Sequence, residues 1–372
     1  MSKTHVILVG GFLGAGKTTL IARAAEQLAR QGKRVGLITN DQAANLVDTA
    51  VLKETVDAVQ EVAGGCFCCR FDELLAAMDR LVASGMPDVL IGEPVGSCTD
   101  LSATVLQPMK KFHQDRFEAA PFSVLVDVKQ VRTLERLRKS MHGDEASRFP
   151  ENVMYIYEKQ LEEADLIVLN KSDLLSADEL AEVERTLRRE FTQAPVLTIS
   201  ALQGTGINAW LERVLKAEGA GRTIAEVDYD IYAEGEAALG WLNAAVRLQS
   251  ASGIDGRDFC RRLMQVLQER FQQASAEVAH LKMRFAAGGS SLAANLTRNE
   301  DSPSLRGEMN ELARDASLLI NARAKIEPER LRSLVEQAVR ETAGTSVTVH
   351  IDDLQSFAPS RPTPIHRFES VV

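Results

Sequence analysis

Gly11-Phe12-Leu13-Gly14-Ala15-Gly16-Lys17-Thr18 is the stretch that decides the fold of this 372-residue chain. It fits G-x-x-x-x-G-K-[ST] and lies between an apolar run ending at Val9 and a helical pattern opening at Thr19, which is the context of a P-loop. In such a loop, glycines let backbone N–H groups surround a phosphate, and the following helix adds partial positive charge. A tight turn that binds nothing would explain the glycines but not the Lys-Thr pair.

The P-loop therefore predicts a set of nucleotide contacts. Lys17 is expected to reach the β- and γ-phosphates, and Thr18 to place its hydroxyl on Mg²⁺. The other residues predicted to bind the phosphates are Gly11, Gly14, Ala15, Gly16 and Thr19.

Composition limits the partners and the compartment. The formal net charge of −9 and the pI near 5.4 argue against a nucleic-acid or anionic-membrane partner. The apolar stretch from Val6 to Leu13 runs into the P-loop without a small-residue cleavage pattern, so no signal peptide is expected. No apolar run approaches the roughly 18 residues of a membrane helix. Three of the five cysteines fall within four residues, as in a reduced intracellular metal or redox site, which predicts a cytoplasmic protein.

The pattern of apolar residues predicts an α/β first domain. Short continuous apolar runs alternate with amphipathic helical segments, as expected for parallel strands buried on both faces. The predicted strands are 5–9, 34–39, 89–92, 122–126, 166–170 and 196–200, and the predicted helices are 19–31, 72–84, 101–112, 177–191 and 208–216. We therefore expect a doubly wound, mostly parallel sheet over residues 1–221, with its ligand at the carboxyl ends of the strands.

Beyond Gly221 the pattern changes to that of a smaller α+β domain, predicted over residues 222–358. Alternating runs predict antiparallel strands, and two amphipathic segments predict helices on one face of the sheet. The predicted strands are 238–248, 278–286, 291–297, 318–326 and 346–351; the predicted helices are 257–273 and 328–342, and 298–307 is predicted as a loop. The remaining 359–372 carries Pro362 and Pro364 and is expected to be an extended or disordered tail.

Asn170-Lys171-Ser172-Asp173 closes a predicted strand and fits N-K-x-D. The Asp173 carboxylate can accept hydrogen bonds from N1–H and N2–H₂ of guanine, which adenine does not offer in that arrangement. Asn and Asp are also ordinary turn residues after a strand, but at this strand end of a P-loop domain the motif predicts GTP or GDP as the ligand. Ser200, Ala201 and Leu202 close the next strand, where GTPases place a base-contacting loop.

Glu93-Pro94-Val95-Gly96 follows the strand predicted at 89–92, where many GTPases begin switch II with D-x-x-G. The Glu93 carboxylate is expected to orient Mg²⁺-bound or attacking water, and the Gly96 amide to reach the γ-phosphate. A simple proline turn is the alternative. The predicted catalytic residues are thus Lys17, Glu93 and Gly96.

Gly64-Gly65-Cys66-Phe67-Cys68-Cys69 is the most unusual segment. A disulfide within so short a span would be strained, whereas a glycine-rich loop allows three sulfurs to converge. Three thiolates suit Zn²⁺ or Co²⁺ and leave one tetrahedral position open, as a transfer or sensing site requires. A redox switch remains an alternative. Cys98 is a candidate fourth ligand or neighbour, and Cys260 is predicted to be a core residue.

Together these motifs make the first domain resemble the CobW-type metallochaperone GTPases, relatives of the nickel-insertion GTPases of hydrogenase and urease maturation. The resemblance rests on Gly10–Thr19, on Gly65–Cys69 between the P-loop and switch II, on Glu93–Gly96 and on Asn170–Asp173. It implies that residues 40–48 are switch I, with Asp41 and Asp48 as magnesium ligands in addition to Thr18 and Glu93. Ala43 and Ala44 replace the glycine and the second acidic residue of the family pattern.

The resemblance implies a GTP-hydrolysing metallochaperone that delivers zinc or cobalt to a client metalloenzyme, or that activates a corrinoid- or cobalamin-dependent protein, through residues 222–358. Family members often dimerise across the nucleotide, so a homodimer is possible on this reading. The six histidines are scattered, which disfavours metal storage. The alternative is a GTP-dependent activation chaperone or switch whose cysteines sense redox or zinc. A small-molecule P-loop kinase comes third, because N-K-x-D has no purpose there.

Overall fold

The computed structural model describes residues 3–131, 149–216 and 219–372. These residues form two compact units. The first unit contains the chain up to Gln42, residues 52–235 and residues 361–372, and the second contains residues 43–51 and 236–360. No helix among the described residues is long and apolar enough to cross a membrane.

The first unit alternates strands and helices along the chain. Its strands are β1 Thr4–Gly11, β2 Val35–Asp41, β3 Val59–Ala63, β4 Val89–Glu93, β5 Phe117–Ala119, β6 Ser123–Asp127, β7 Leu166–Asn170 and β8 Val196–Thr198. Its helices are α1 Lys17–Arg30, α3 Phe71–Gly85, α4 Gln107–Phe112, α5 Glu151–Glu162, α6 Ala177–Glu190, α7 Ile207–Lys216 and α8 Tyr229–Ala237, while α2 Val47–Leu52 begins in the second unit. In the described residues the strand order is β3-β2-β4-β1-β6-β7-β8, with β5 beside β1, and every pairing is parallel.

The predicted doubly wound α/β class is confirmed. β1, β4, β6 and β7 consist almost wholly of buried residues because helices cover both faces of the sheet. Leu20, Ala24 and Leu28 repeat along one face of α1 and pack with Ile7 and Val9 of β1 into a single core cluster. Apolar side chains at helical spacing therefore fix this helix on the sheet.

Some elements differ from the sequence expectation. The elements not predicted are β3, β5, α2, α5 and α8. The segment predicted as a helix over 101–112 starts with a π-helical turn, Ser102–Leu106. β3 lies at the edge of the sheet and has only two buried residues among five, so it lacks the continuous apolar run of the inner strands. The strand predicted to reach Ser200 ends at Thr198.

The second unit is an antiparallel sheet with two helices, which confirms the predicted α+β class. Its strands are β9 Gly240–Ile254, β10 Glu277–Ala287, β11 Ser290–Leu296, β12 Ser304–Gly307, β13 Ala313–Lys325 and β14 Thr348–Phe357, in the order β12-β11-β10-β13-β9-β14. The helices are α9 Gly256–Gln273 and α10 Pro328–Ala343. Apolar side chains of both helices and of the strands, Cys260 among them, form one core. Part of the predicted loop 298–307 is strand β12.

The unit boundaries differ from the domain limits predicted at 221 and 358. Residues 222–235 belong to the first unit because the main-chain N–H groups of Gly221 and Arg222 donate to the buried Asp165 carboxylate at 2.6 and 2.8 Å. Residues 361–372, expected to be extended or disordered, contain no helix or strand and are hydrogen-bonded within the first unit. None of these contacts follows from local sequence patterns.

Residues 43–51 belong to the second unit, although they were predicted to lie in the first domain. The Val47 N–H donates to the Asn321 side-chain oxygen at 2.7 Å, and the Asn243 amide donates to the carbonyl oxygen of Ala44 at 2.9 Å. Asn45 adopts a left-handed conformation (φ 67°), and its side chain donates to Asp353 at 2.9 Å. Most of the predicted switch I is thus held by the antiparallel sheet.

Candidate functional site

The predicted site residues of the first unit follow the carboxyl ends of neighbouring parallel strands. The cysteine loop follows β3, Asp41 ends β2, Glu93 ends β4, and the P-loop follows β1. On the other side of β1, Asp127 ends β6 beside Asn170, which ends β7. Because parallel strands place their carboxyl ends at one edge, these residues share the edge where doubly wound folds bind ligands.

The P-loop has the backbone that its glycines predict. Gly11, Gly14 and Gly16 have φ values of 126°, 77° and 99°, which side chains with a Cβ rarely adopt. A Cβ on Gly16 would also lie 2.4 Å from the Asn170 side-chain nitrogen. The Lys17 side chain is 7% exposed, and its ammonium donates to the carbonyl oxygens of Gly11 at 2.7 Å and Phe12 at 3.4 Å. The lysine is thereby folded back over its own loop.

The structure brings together the two predicted magnesium-site residues of the P-loop and switch II. The Thr18 hydroxyl donates to the Glu93 carboxylate at 3.0 Å, and Glu93 is buried. An oxygen pair of this kind suits a hard cation such as Mg²⁺. A Cβ on Gly96 would lie 2.7 Å from a Leu13 methyl carbon, so switch II passes directly against the P-loop.

The N-K-x-D loop is tied to the P-loop and to the predicted base-contacting loop. The Asn170 amide donates to the Ala15 carbonyl at 2.8 Å, and its oxygen accepts the Ala201 N–H at 2.9 Å. The Ser200 hydroxyl donates to the Asp173 carboxylate, which is half-buried. Asn170 thus joins three loops, while the Leu202 side chain is exposed.

Lys171 and Asp127 form an ion pair that the sequence analysis did not identify. Lys171 has a left-handed backbone (φ 65°), and its ammonium lies 2.7 Å from the Asp127 carboxylate. Gln130, a few residues later, donates to the Leu13 carbonyl of the P-loop at 2.9 Å. The position of Asp127 after an apolar strand was the available signal; nothing marked Gln130.

Asn40 is the residue that shapes the cysteine loop. Its amide nitrogen donates to the carbonyl oxygens of Val62 at 2.9 Å and Gly65 at 2.7 Å, and its oxygen accepts the Phe67 N–H at 2.9 Å. Since Asn40 immediately precedes Asp41 at the end of β2, the loop is fixed to the strand between β3 and β4. The sequence analysis assigned Asn40 only to switch I.

Cys66, Cys68 and Cys69 converge as predicted. The Cys66 sulfur lies 2.8 Å from that of Cys68 and 3.1 Å from that of Cys69, and the Cys68–Cys69 distance is 3.8 Å. Zn–S bonds of about 2.3 Å place tetrahedral sulfurs roughly 3.8 Å apart, so the triad fits zinc after the Cys66 sulfur moves outward by up to about 1 Å. Cys66 and Cys68 are 2% and 1% exposed, and Cys69 is half-buried.

The thiols share their protons unequally. Hydrogen bonds from Cys68, Cys69 and Cys98 hold the pKa of Cys66 well below its ordinary value. The pKa of Cys68 lies well above the ordinary value because of its hydrogen bond to Cys66 and its burial. The hydrogen bond of Cys69 to Cys66 raises the pKa of Cys69 to about 11. A metal ion must therefore displace protons when it binds. Cys98, which is buried, contacts the triad, but whether it ligates metal stays a prediction.

The two remaining predicted magnesium ligands have different surroundings. Asp41 is buried, and its main-chain carbonyl oxygen accepts a hydrogen bond from the Gly65 N–H at 3.5 Å. In the second unit, the Asp48 carboxylate forms an ion pair with the Lys282 ammonium, and both side chains are less than one-fifth exposed. A magnesium role for Asp48 would require this ion pair to open.

Comparison with known proteins bears on residues 5–198, which contain most of the first unit. The profile of the family described as "CobW/HypB/UreG, nucleotide-binding domain" matches residues 5–198. The zinc chaperone CobW of Pseudomonas aeruginosa is 30% identical over 233 residues, covering 55% of this chain and 58% of that protein. The zinc chaperone YeiR of Escherichia coli is 31% identical over 193 residues, covering 51% and 52%. The chain thus spans little more than half the length of these relatives.

A third relative carries a different name. The zinc-regulated GTPase metalloprotein activator 1 of Dictyostelium discoideum is 25% identical over 219 residues, covering 52% of this chain and 45% of that protein. The profile match contains the P-loop, the cysteine loop, switch II and the N-K-x-D loop.

Proposed function

The chain belongs to the CobW/HypB/UreG family, and from this we propose that it is a GTP-hydrolysing metallochaperone that delivers a divalent metal to a client metalloprotein. The observation that carries the proposal is the position of the thiol triad. Cys66, Cys68 and Cys69 follow β3 at the same sheet edge as the P-loop, and Asn40 fixes their loop beside the strand that ends in Asp41. A nucleotide-dependent change at this edge has a short structural route to the sulfurs.

The nucleotide part of the proposal assigns a role to each end of the site. Lys17 and the P-loop N–H groups hold the β- and γ-phosphates, and Thr18 and Glu93 hold Mg²⁺, which neutralises charge on the phosphates when it is bound. Glu93 also orients the attacking water, and Gly96 offers its amide to the γ-phosphate. The close approach of Gly96 to Leu13 of the P-loop supports this position.

The base-reading part assigns guanine to Asp173. Its carboxylate lies beside Ser200, and Asn170 ties the same loop to the P-loop, so the base and phosphate ends are held at a fixed spacing. Two hydrogen bonds to one carboxylate read the N1–H and N2–H₂ of guanine. The resulting preference is for GTP over ATP.

Asp173→Asn is expected to lower kcat/KM for GTP by about 10- to 100-fold, since hydrogen bonds to a charged group contribute about 1.5–3 kcal/mol. Xanthosine triphosphate, which has a carbonyl where guanine has an amino group, should gain relative to GTP because the amide can donate to it. Hydrolysis of GTP, ATP and xanthosine triphosphate is compared for the wild type and for the exposed control Asp178→Asn. If the wild type hydrolyses ATP as efficiently as GTP, Asp173 does not read the base.

The cargo part assigns the metal to the thiol triad. Thiolates favour zinc and cobalt over magnesium, so the site is chemically distinct from the Thr18–Glu93 oxygen pair. Three ligands leave a position for a client ligand, which a delivery site needs. The zinc chaperones among the relatives support zinc as the cargo.

A second class of function is a GTP-dependent activation switch in which the cysteines sense redox state or zinc without delivering metal. Titration of the reduced protein with Zn²⁺ against a chromogenic chelator, with GDP and with a non-hydrolysable GTP analogue, separates the two. Tight binding of one ion per chain with an affinity that depends on the nucleotide supports delivery, and its absence supports the switch.

A further inference from the structure

Residues 361–368 lie against the cysteine loop of the same unit. The Thr363 N–H donates to the Cys69 sulfur at 3.2 Å, and the Ile365 N–H donates to the Cys68 carbonyl oxygen at 3.0 Å. Cys66 and Cys68 are almost completely buried, so the solvent side of the triad is the side of Cys69. The segment therefore lies on the one thiol of the triad that is partly exposed.

Aromatic contacts hold the segment beyond the cysteines. The His366 ring meets the Phe71 ring edge-on at 5.3 Å and lies 5.6 Å from the Phe112 ring. The Phe368 ring lies 6.0 Å from Phe112, and the Phe368 N–H donates to the Ala103 carbonyl oxygen at 3.1 Å. Phe71 begins the helix that follows the cysteine loop, so the same helix supports the thiols and the segment that covers them.

An ion pair to a buried carboxylate fastens the segment. The Arg367 guanidinium donates to Asp100 at 2.8 Å, and the Tyr229 hydroxyl donates to the same carboxylate oxygen at 2.7 Å. The Asp100 side chain is fully buried, whereas that of Arg367 is one-third exposed. Removing the Arg367 charge would leave the Asp100 carboxylate buried without its cationic partner, which costs more than breaking an exposed ion pair.

We propose that residues 361–368 form a displaceable strap that controls access to the thiol triad, with Arg367 as its latch on Asp100. The inference rests on the proposed function for its biological meaning, because the strap then governs entry and release of the metal. Its physical basis is the pair of backbone hydrogen bonds described above, one from Thr363 to the Cys69 sulfur and one from Ile365 to the Cys68 carbonyl oxygen. Opening it exposes the triad without unfolding the loop that Asn40 holds.

The strap predicts how fast Cys69 reacts in the metal-free, reduced, full-length protein. Arg367→Gln removes the charge that holds the strap, and Cys69 alkylation by iodoacetamide should become about 10-fold faster, the effect of losing roughly 1.4 kcal/mol from a charged hydrogen bond. Site-resolved mass spectrometry of the alkylated peptides gives the rate. Arg247→Gln is the control, because Arg247 forms an exposed ion pair with Asp352 in the other unit and should leave the Cys69 rate unchanged.

A second pair of variants tests the strap without touching its latch. Thr363→Pro deletes the N–H that Cys69 accepts, and the neighbouring Pro362 and Pro364 already restrict the backbone there. Thr363→Ala keeps the N–H. Cys69 should react faster in Thr363→Pro and at the wild-type rate in Thr363→Ala. Equal Cys69 rates in the wild type, Arg367→Gln and Thr363→Pro would overturn the strap.

The same variants separate this inference from the proposed function. In the zinc-loaded protein, transfer of zinc to a chromogenic chelator should be about 10-fold faster in Arg367→Gln than in the wild type. If the wild type binds no zinc, metal delivery fails, yet the alkylation rates still decide whether the strap exists. If zinc binds but is transferred to the chelator at the same rate from the wild type and from every variant, the strap does not control metal access.

Discussion

Lys17→Ala is expected to reduce GTP hydrolysis by at least about 100-fold, the typical effect of removing one charged or polar group that stabilises the transition state. The Lys17 ammonium is buried, and the carbonyl oxygens of Gly11 and Phe12 hold it over the P-loop. Alanine leaves the glycine-rich backbone in place, but no other residue of the motif carries a positive charge. Phosphate binding and transition-state stabilisation should therefore both fall.

Steady-state GTP hydrolysis and equilibrium binding of a fluorescent GTP analogue measure the two effects. Lys33→Ala is the matched control, because Lys33 is an exposed lysine just beyond helix α1 and should leave both unchanged. Hydrolysis at the wild-type rate by Lys17→Ala would remove the P-loop assignment.

Cys66→Ser is expected to weaken zinc binding by at least about 100-fold, because a serine hydroxyl does not ionise near neutral pH and is a poor zinc ligand. Cys66 is central to the triad: its sulfur is the nearest neighbour of both other sulfurs, at 2.8 and 3.1 Å. It also has the lowered pKa, so the substitution removes the thiol most ready to bind as a thiolate.

Competition with a chelator of known affinity gives the zinc dissociation constant of each variant. Cys260→Ser is the control: Cys260 lies in the apolar core of the second unit, where burial raises its pKa to about 12. It should keep wild-type zinc affinity even if it loses stability. If Cys66→Ser binds zinc as tightly as the wild type, the triad does not bind the cargo.

The sequence predicted the parts of the site that depend on short motifs. Gly11, Gly16 and Lys17 define a loop whose backbone follows from their spacing, and the parallel strands place Glu93 at the same edge. The convergence of three sulfurs followed likewise from their separation of at most three residues. In each case local geometry and sheet topology leave little freedom.

The rest depends on residues far apart in the chain. Asp48 forms an ion pair with Lys282, and the Val47 N–H donates to Asn321. These contacts hold residues 43–51 in the second unit, although the sequence predicts them in the first domain. The strap contacts Cys69 from Thr363, and its prolines predicted only an extended or disordered chain. No spacing rule connects the residues of these pairs. Edge strand β3 was missed because three of its five residues are only partly buried.

The central claim is that the nucleotide and the metal act on one another, and the most direct test is zinc affinity in two nucleotide states. The dissociation constant for zinc is measured on the wild type with GDP and with a non-hydrolysable GTP analogue, and the dissociation constants for GDP and for the analogue are each measured with and without zinc. The account predicts that zinc affinity differs between the two nucleotide states by about 5- to 150-fold, and that zinc changes the ratio of the GDP and analogue constants by the same factor, because linkage is reciprocal. Equal zinc affinity with GDP and with the analogue would contradict it and leave the metal as a structural element of the loop.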